Sequence, residues 1–197
     1  FGEYLGNLVT GEMGRSIISR RSVAGEITRT FPNTLELVSF TLVVTALIGI
    51  PLGIVAARNR GTVVDSFVMI LALVGLTMPV FSIGLGLMWY FGFNLQWLPI
   101  GGRGGSPWTV DGARHLILPV ATLAAFGIGT IARLTRTTML EVLSSDFIRT
   151  ARSKGLADRV VTFKHALKNA ALPIITVMGL QFGTLLGGAV VTETVFA

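Results

Sequence analysis

RLTRTTMLEVLSSDFIRTARSKGLADRVVTFKHALKNAALP, residues 133–173, is a long polar island set between two apolar segments. Eight basic residues lie in it: Arg133, Arg136, Arg149, Arg152, Lys154, Arg159, Lys164 and Lys168. With three acidic ones, Glu141, Asp146 and Asp158, it carries +5 of the chain's net +6. A polar island between two membrane spans is either a solvated loop or a docking surface, and the rest of the sequence decides how to read it.

Only 13% of the 197 residues are charged, against about 25% in soluble domains, and the mean hydropathy is +0.72. That balance points to an all-α, polytopic membrane helix bundle. The basic residues flank apolar runs and form no groove interleaved with aromatics, which argues against nucleic-acid binding. Cysteine is absent, so there is no disulfide framework or thiolate metal site. No metal and no cofactor are expected. The chain starts at Phe1 and stops at the edge of an apolar run, and it is expected to be the middle of a longer protein.

Four apolar segments are long enough to cross about 30 Å of hydrocarbon: residues 34–57, 66–91, 116–134 and 172–196. The third is expected to run on as helix through Thr137 and Leu140. Residues 1–33 are mixed. FGEYLGNLV reads as a short amphipathic helix, GEMGRS as a turn and SVAGEITRTF as a second short helix ended by Pro32. Asn33 with Glu36 then makes a capping box for the first span. Trp89 and Tyr90 suit an interfacial aromatic belt. GGRGG, within 92–115, lacks the Lys-Ser/Thr of a phosphate loop.

The Lys/Arg count sets the topology. Arg58 and Arg60 lie two spans from the island, so both loops share the cytoplasmic side. The 92–115 loop and an extracytoplasmic segment, 1–33, lie opposite, although Arg15, Arg20, Arg21 and Arg29 run against the rule. His115 and His165 then fall on opposite sides and cannot share a metal.

Each span holds one proline: Pro51, Pro79, Pro119 and Pro173. These are either ordinary membrane-helix composition or kinks that let helices rock. Gly49/Gly53 and Gly183/Gly187 have small-xxx-small spacing. They fit packing within the bundle or, for the second pair, a subunit contact. Gln181, Thr184 and Glu193 are candidate substrate-path or gate residues in the last span. An intramembrane carboxylate is a functional candidate, though one at a helix end also suits solvation or structural pairing.

Within the island (cytoplasmic loop 141–169), Ser145 or Asp146 can cap a helix from Phe147 to about Lys154, with Gly155 ending it. Asp158 can cap a second helix carrying Val160, Phe163 and Leu167 on one face. Composition alone leaves open a solvated loop, a helix on anionic lipid or a docking element. The regular caps and stripes favour docking over a mere loop.

SSDFIRTARSKGLADRVVTFKHALKNAALPI resembles the cytoplasmic EAA loop of type I ABC importer permeases, in their dipeptide/oligopeptide/nickel subclass. Ala151, Gly155 and Leu167 keep the general consensus, whereas Arg149 replaces its Glu and Lys168 its Pro. FPNTLELV, GIPLGIVAA, GLTMPVFSIGL, RLTRTTMLEVL and GLQFGTLLGGAVVTETVF extend the likeness over nearly the whole chain. The resemblance implies a six-span permease, of which this piece is expected to lack the first and last spans. It also implies a coupling helix for a cytoplasmic ATPase over Asp146, Phe147, Ile148, Arg149, Thr150, Ala151, Arg152, Ser153, Lys154, Gly155 and Leu156. Phe147, Ile148 and Ala151 are expected to make the contact, with Arg149 and Arg152 at its rim. The implied partners are a second permease subunit of a different homologous chain, two ATPase subunits, an extracytoplasmic substrate-binding protein and the lipid membrane. The competing readings are an ion-coupled secondary carrier, which predicts charges inside spans, and a non-transport membrane scaffold or intramembrane enzyme.

Overall fold

The computed structural model describes residues 13–16 and 20–196; the side chains of 188–191, 193 and 194 fall outside that description, as does the helix expected over FGEYLGNLV. The chain divides into two units, residues 1–37 and 38–197. In the first, Gly14 takes a left-handed φ of +71°, and an antiparallel bridge joins Arg15 to Ser22. The turn expected over GEMGRS lies partly outside the described residues.

Helix α1 runs Val23–Arg58 without interruption. This corrects two expectations: Pro32 does not end a helix, and Asn33 lies inside one instead of capping it. One missing N–H removes a single bond from a helix that is already nucleated, and propagation through the flanking residues continues.

Helix α2 (Val63–Thr77) and helix α3 (Val80–Leu87) replace the single span expected over 66–91. The two meet at a bend of 102°. Met78 is extended (φ −72°, ψ 132°), as steric clash with the following Pro79 requires. The Thr77 hydroxyl donates to the Leu73 carbonyl at 3.0 Å and closes the last turn. A π-helical stretch, Met88–Asn94, continues α3 and carries Trp89 and Tyr90, both exposed.

Helix α4 spans Val110–Leu143, so the third span extends into the island as expected. Thr109 caps it, its hydroxyl accepting from Gly112 N–H at 3.1 Å. Pro119 sits inside without breaking it. This helix is the centre of the second unit. Its buried face includes Leu118, Leu123, Ile131 and Met139. A Cβ on Gly53 of α1 would lie 2.6 Å from the Ala132 carbonyl and 2.5 Å from Thr135 Cβ, and one on Gly75 of α2 would lie 2.6 Å from the Ala125 carbonyl. Only glycine permits such backbone approach. The Gly49/Gly53 pair therefore serves packing within the chain, while Gly183 and Gly187 face open space.

Helix α5 covers Asp146–Ser153. Helix α6 begins at Asp158–Val160, passes through a π-helical stretch Val161–Ala166 and continues as Leu167–Phe196. The island's second short helix is thus the first turns of the last long helix. The loop between α3 and α4 reaches this helix's far end, where Gly102 N–H donates to the Phe196 carbonyl at 2.9 Å.

Candidate functional site

Helix α5 is short, and its ends explain why it holds. Asp146 stands in the first turn, where the helix dipole favours an acid. Ser145 precedes it, but its hydroxyl donates to the Val142 carbonyl at 2.5 Å and does not cap. At the other end Gly155 takes φ +76°. Its N–H donates to the Arg152 carbonyl at 2.9 Å, and the Leu156 N–H donates to the Ala151 carbonyl at 3.4 Å. These two bonds make a Schellman motif, so Gly155 stops the helix as its sequence position predicts.

Two of the three residues expected to make the contact, Ile148 and Ala151, are buried within the chain itself. Ile148 is 0% and Ala151 9% exposed. Both join a core made by Ile54 and Ala57 of α1, Ile131 and Met139 of α4, and Val161, Ala166 and Ala170 of α6. The chain's own core takes these residues, because the ends of three helices converge behind them and leave an apolar seat. Phe147, at 46%, is left outward together with Arg149, Thr150, Arg152, Ser153, Lys154, Gly155 and Leu156. Burying Ile148 contributes about 1.5–3 kcal/mol to holding α5 in place.

Asp158 is not a cap. Its carboxylate pairs with Arg58 at 2.7 Å and with Arg152 at 3.7 Å, linking the ends of α1, α5 and α6. All three side chains are about half exposed, so each pair is worth at most about 1 kcal/mol. The contacts do place the 58–65 loop and the island on one side of the bundle, as the charge count implied.

A stronger pair escaped the sequence reading. Arg136 of α4 grips Asp65 of α2 with two bonds, Nε to Oδ1 at 2.5 Å and Nη2 to Oδ2 at 2.7 Å. Gly61 N–H adds a third at 3.0 Å, and the Asp65 side chain is 6% exposed. This planar two-point match is specific to guanidinium and carboxylate. Seventy-one positions separate the partners, so no local spacing signals it. An acid at the start of an apolar helix was the available clue.

Gln181 and Thr184 line one cavity of about 320 Å³ with Val80 and Phe81 of α3 and Leu123 and Phe126 of α4. Both amide atoms of Gln181 are buried and lack a hydrogen-bond partner among the described residues. The Thr184 hydroxyl donates to the Leu180 carbonyl at 3.0 Å. Thr192, 3% exposed, lines the same space. Glu193 lies in α6, but its side chain is outside the described residues. His115 is held to the Asp111 carbonyl at 2.8 Å, while the His165 carbonyl accepts from Asn169.

Three helices long and apolar enough to cross a membrane, and a bent pair that passes the same test together, define a multi-pass helical membrane protein. Residues 49–197 match the model of the binding-protein-dependent transport system inner membrane component, and the chain belongs to that family. It is 41% identical over 99% of its length to the di/tripeptide transport system permease protein of Pseudomonas aeruginosa. It is 40% identical over 100% to the dipeptide transport system permease protein of Alkalihalophilus pseudofirmus. With the glutathione transport system permease protein of Escherichia coli it shares 42% over 100%. The chain covers 64%, 66% and 62% of these relatives in turn, or slightly under two thirds of each.

Proposed function

We propose that this chain is a permease subunit of an ATP-driven importer, forming a path for peptides or similar small solutes. It sits in a bacterial or archaeal cytoplasmic membrane and supplies no ATP chemistry. Two cytoplasmic ATPase subunits hydrolyse ATP, a second, different permease chain completes the path, and an extracytoplasmic binding protein delivers the solute to the 92–115 side. The observation that carries the reading is α5. It is an eight-residue helix with its inner stripe buried in the core and its outer face left free at the junction of three long helices. A loop needed only for topology requires neither a Schellman stop nor a buried stripe.

The outer face of Phe147, Arg149, Thr150, Ser153, Lys154 and Leu156 is the contact with the ATPase, while Ile148 and Ala151 fix the helix to the spans. Arg152 serves both, through Asp158. The test is Phe147→Ala with Leu156→Ser in the assembled transporter. ATPase association and solute-stimulated ATP hydrolysis should fall by about tenfold or more, the effect of losing an interface anchor of about 1.4 kcal/mol or more. Association and stimulation unchanged by both this double variant and removal of 146–156 would refute the coupling role.

A further inference from the structure

We infer that Gln181 recognises the backbone amide group of the transported solute within the membrane, so that the path itself selects for peptide bonds. The inference rests on the import reading and names the solute class at the cavity. Its starting point is an anomaly: a carboxamide with both polar atoms buried and no partner among the described residues. An unpaired buried amide costs about 1–3 kcal/mol, so such a group in a folded protein calls for a reason. Packing gives none, because a methionine would fill the same volume without the penalty.

The cavity's chemistry narrows the ligand. Its described lining is largely apolar, with Val80, Phe81, Leu123 and Phe126 around Gln181, Thr184 and Thr192, and none of these side chains is charged. The described lining offers a bare carboxylate or ammonium no counter-charge to replace its lost hydration. A secondary amide is the complement of a carboxamide. A trans peptide bond turns its carbonyl and its N–H to opposite sides, so the N–H is the group that meets Gln181, donating to the carboxamide oxygen. The Thr184 hydroxyl spends its proton on the Leu180 carbonyl, so it presents lone pairs and can accept only from the solute. The space of about 320 Å³ is only partly enclosed, so a peptide's amide can enter while its charged ends stay outside. The helix break at Met78–Pro79 places the first turn of α3 in the wall, and interrupted helices are where membrane carriers build such sites.

The experiment uses the whole transporter, with both permeases, the ATPases and the binding protein, in proteoliposomes. Uptake of alanyl-alanine is compared with that of its analogue methylated on the peptide nitrogen, for the wild type, Gln181→Met and Gln181→Asn. The binding protein's own preference is common to all three and cancels in the ratio of ratios. The wild type should favour the unmethylated peptide. Gln181→Met should reduce that preference by about fivefold, the worth of one neutral hydrogen bond, and Gln181→Asn should fall between. Thermal stability of the complex should hold or rise in Gln181→Met. An unchanged preference in Gln181→Met overturns the inference. So does a less stable or unassembled Gln181→Met complex, since the carboxamide would then be a structural partner. A wild-type complex that drives ATP-dependent uptake of other solutes but neither peptide overturns it and leaves the import reading intact. No ATP-driven uptake of any solute overturns both.

Discussion

Helices α4 and α6 look alike as sequence, each a long apolar run with one internal proline. In the fold they differ. Half of the most apolar window of α4 is buried inside the chain, against 11% for α6. The difference lies in small residues and hydroxyls. Helix α4 receives Gly53 and Gly75 at backbone distance, and Thr45 packs on Gly127. On α6, Gly179, Gly183 and Gly187 have nothing near them, and Leu180 is 69% exposed. Hydropathy identifies a helix that can cross a membrane; close-packing residues identify its neighbour only when a neighbour is there to receive them.

The contrast can be broken at several points. The largest effect is expected from Arg136→Ala, which leaves the Asp65 carboxylate buried and unpaired. A loss of about 3–5 kcal/mol should appear in equilibrium unfolding of the purified chain in mixed detergent. The double variant Asp65→Leu with Arg136→Leu should recover most of it. Next comes Ile148→Ala, expected at about 3 kcal/mol because the seat behind α5 is formed by three helices and cannot collapse freely. Phe147→Ala in the same assay should stay within about 0.5 kcal/mol.

Gly53→Val should cost about 1–3 kcal/mol by forcing α1 from α4, whereas Gly183→Ala on α6 should change the isolated chain's stability by under about 0.5 kcal/mol. Equal losses at the two glycines would remove the distinction between the helices. Smallest is Asp158→Asn, worth at most about 1 kcal/mol. Its effect should shrink as salt is raised from 0.05 to about 0.5 M, readable as converging melting temperatures of variant and wild type.

Much of this was legible beforehand. Long uncharged runs marked the membrane helices, and Gly155 marked the stop of α5, because both depend on local chemistry. Pro79 shows where legibility ended. Pro32, Pro51, Pro119 and Pro173 all sit in continuous helix, and Pro79 alone accompanies a break, yet the five look alike in sequence. What happens at a proline depends on whether neighbouring groups re-satisfy the freed carbonyl, which is a tertiary matter. The same holds for α5. Its apolar stripe was visible, but not whether the chain's core or another subunit would bury it, and the core has Ile148 and Ala151. Asp158 was drawn from capping by Arg58, one hundred positions away.

The bend at Met78–Pro79 also bears on water. Fifteen residues of α2 rise about 22 Å at 1.5 Å each, short of the roughly 30 Å of hydrocarbon. With Asp65 and its partner at the surface end, the break falls inside the bilayer. Extended backbone at that depth is tolerated only against protein or water. The break beside Val80 and Phe81 therefore has to be shielded from lipid by protein or by water.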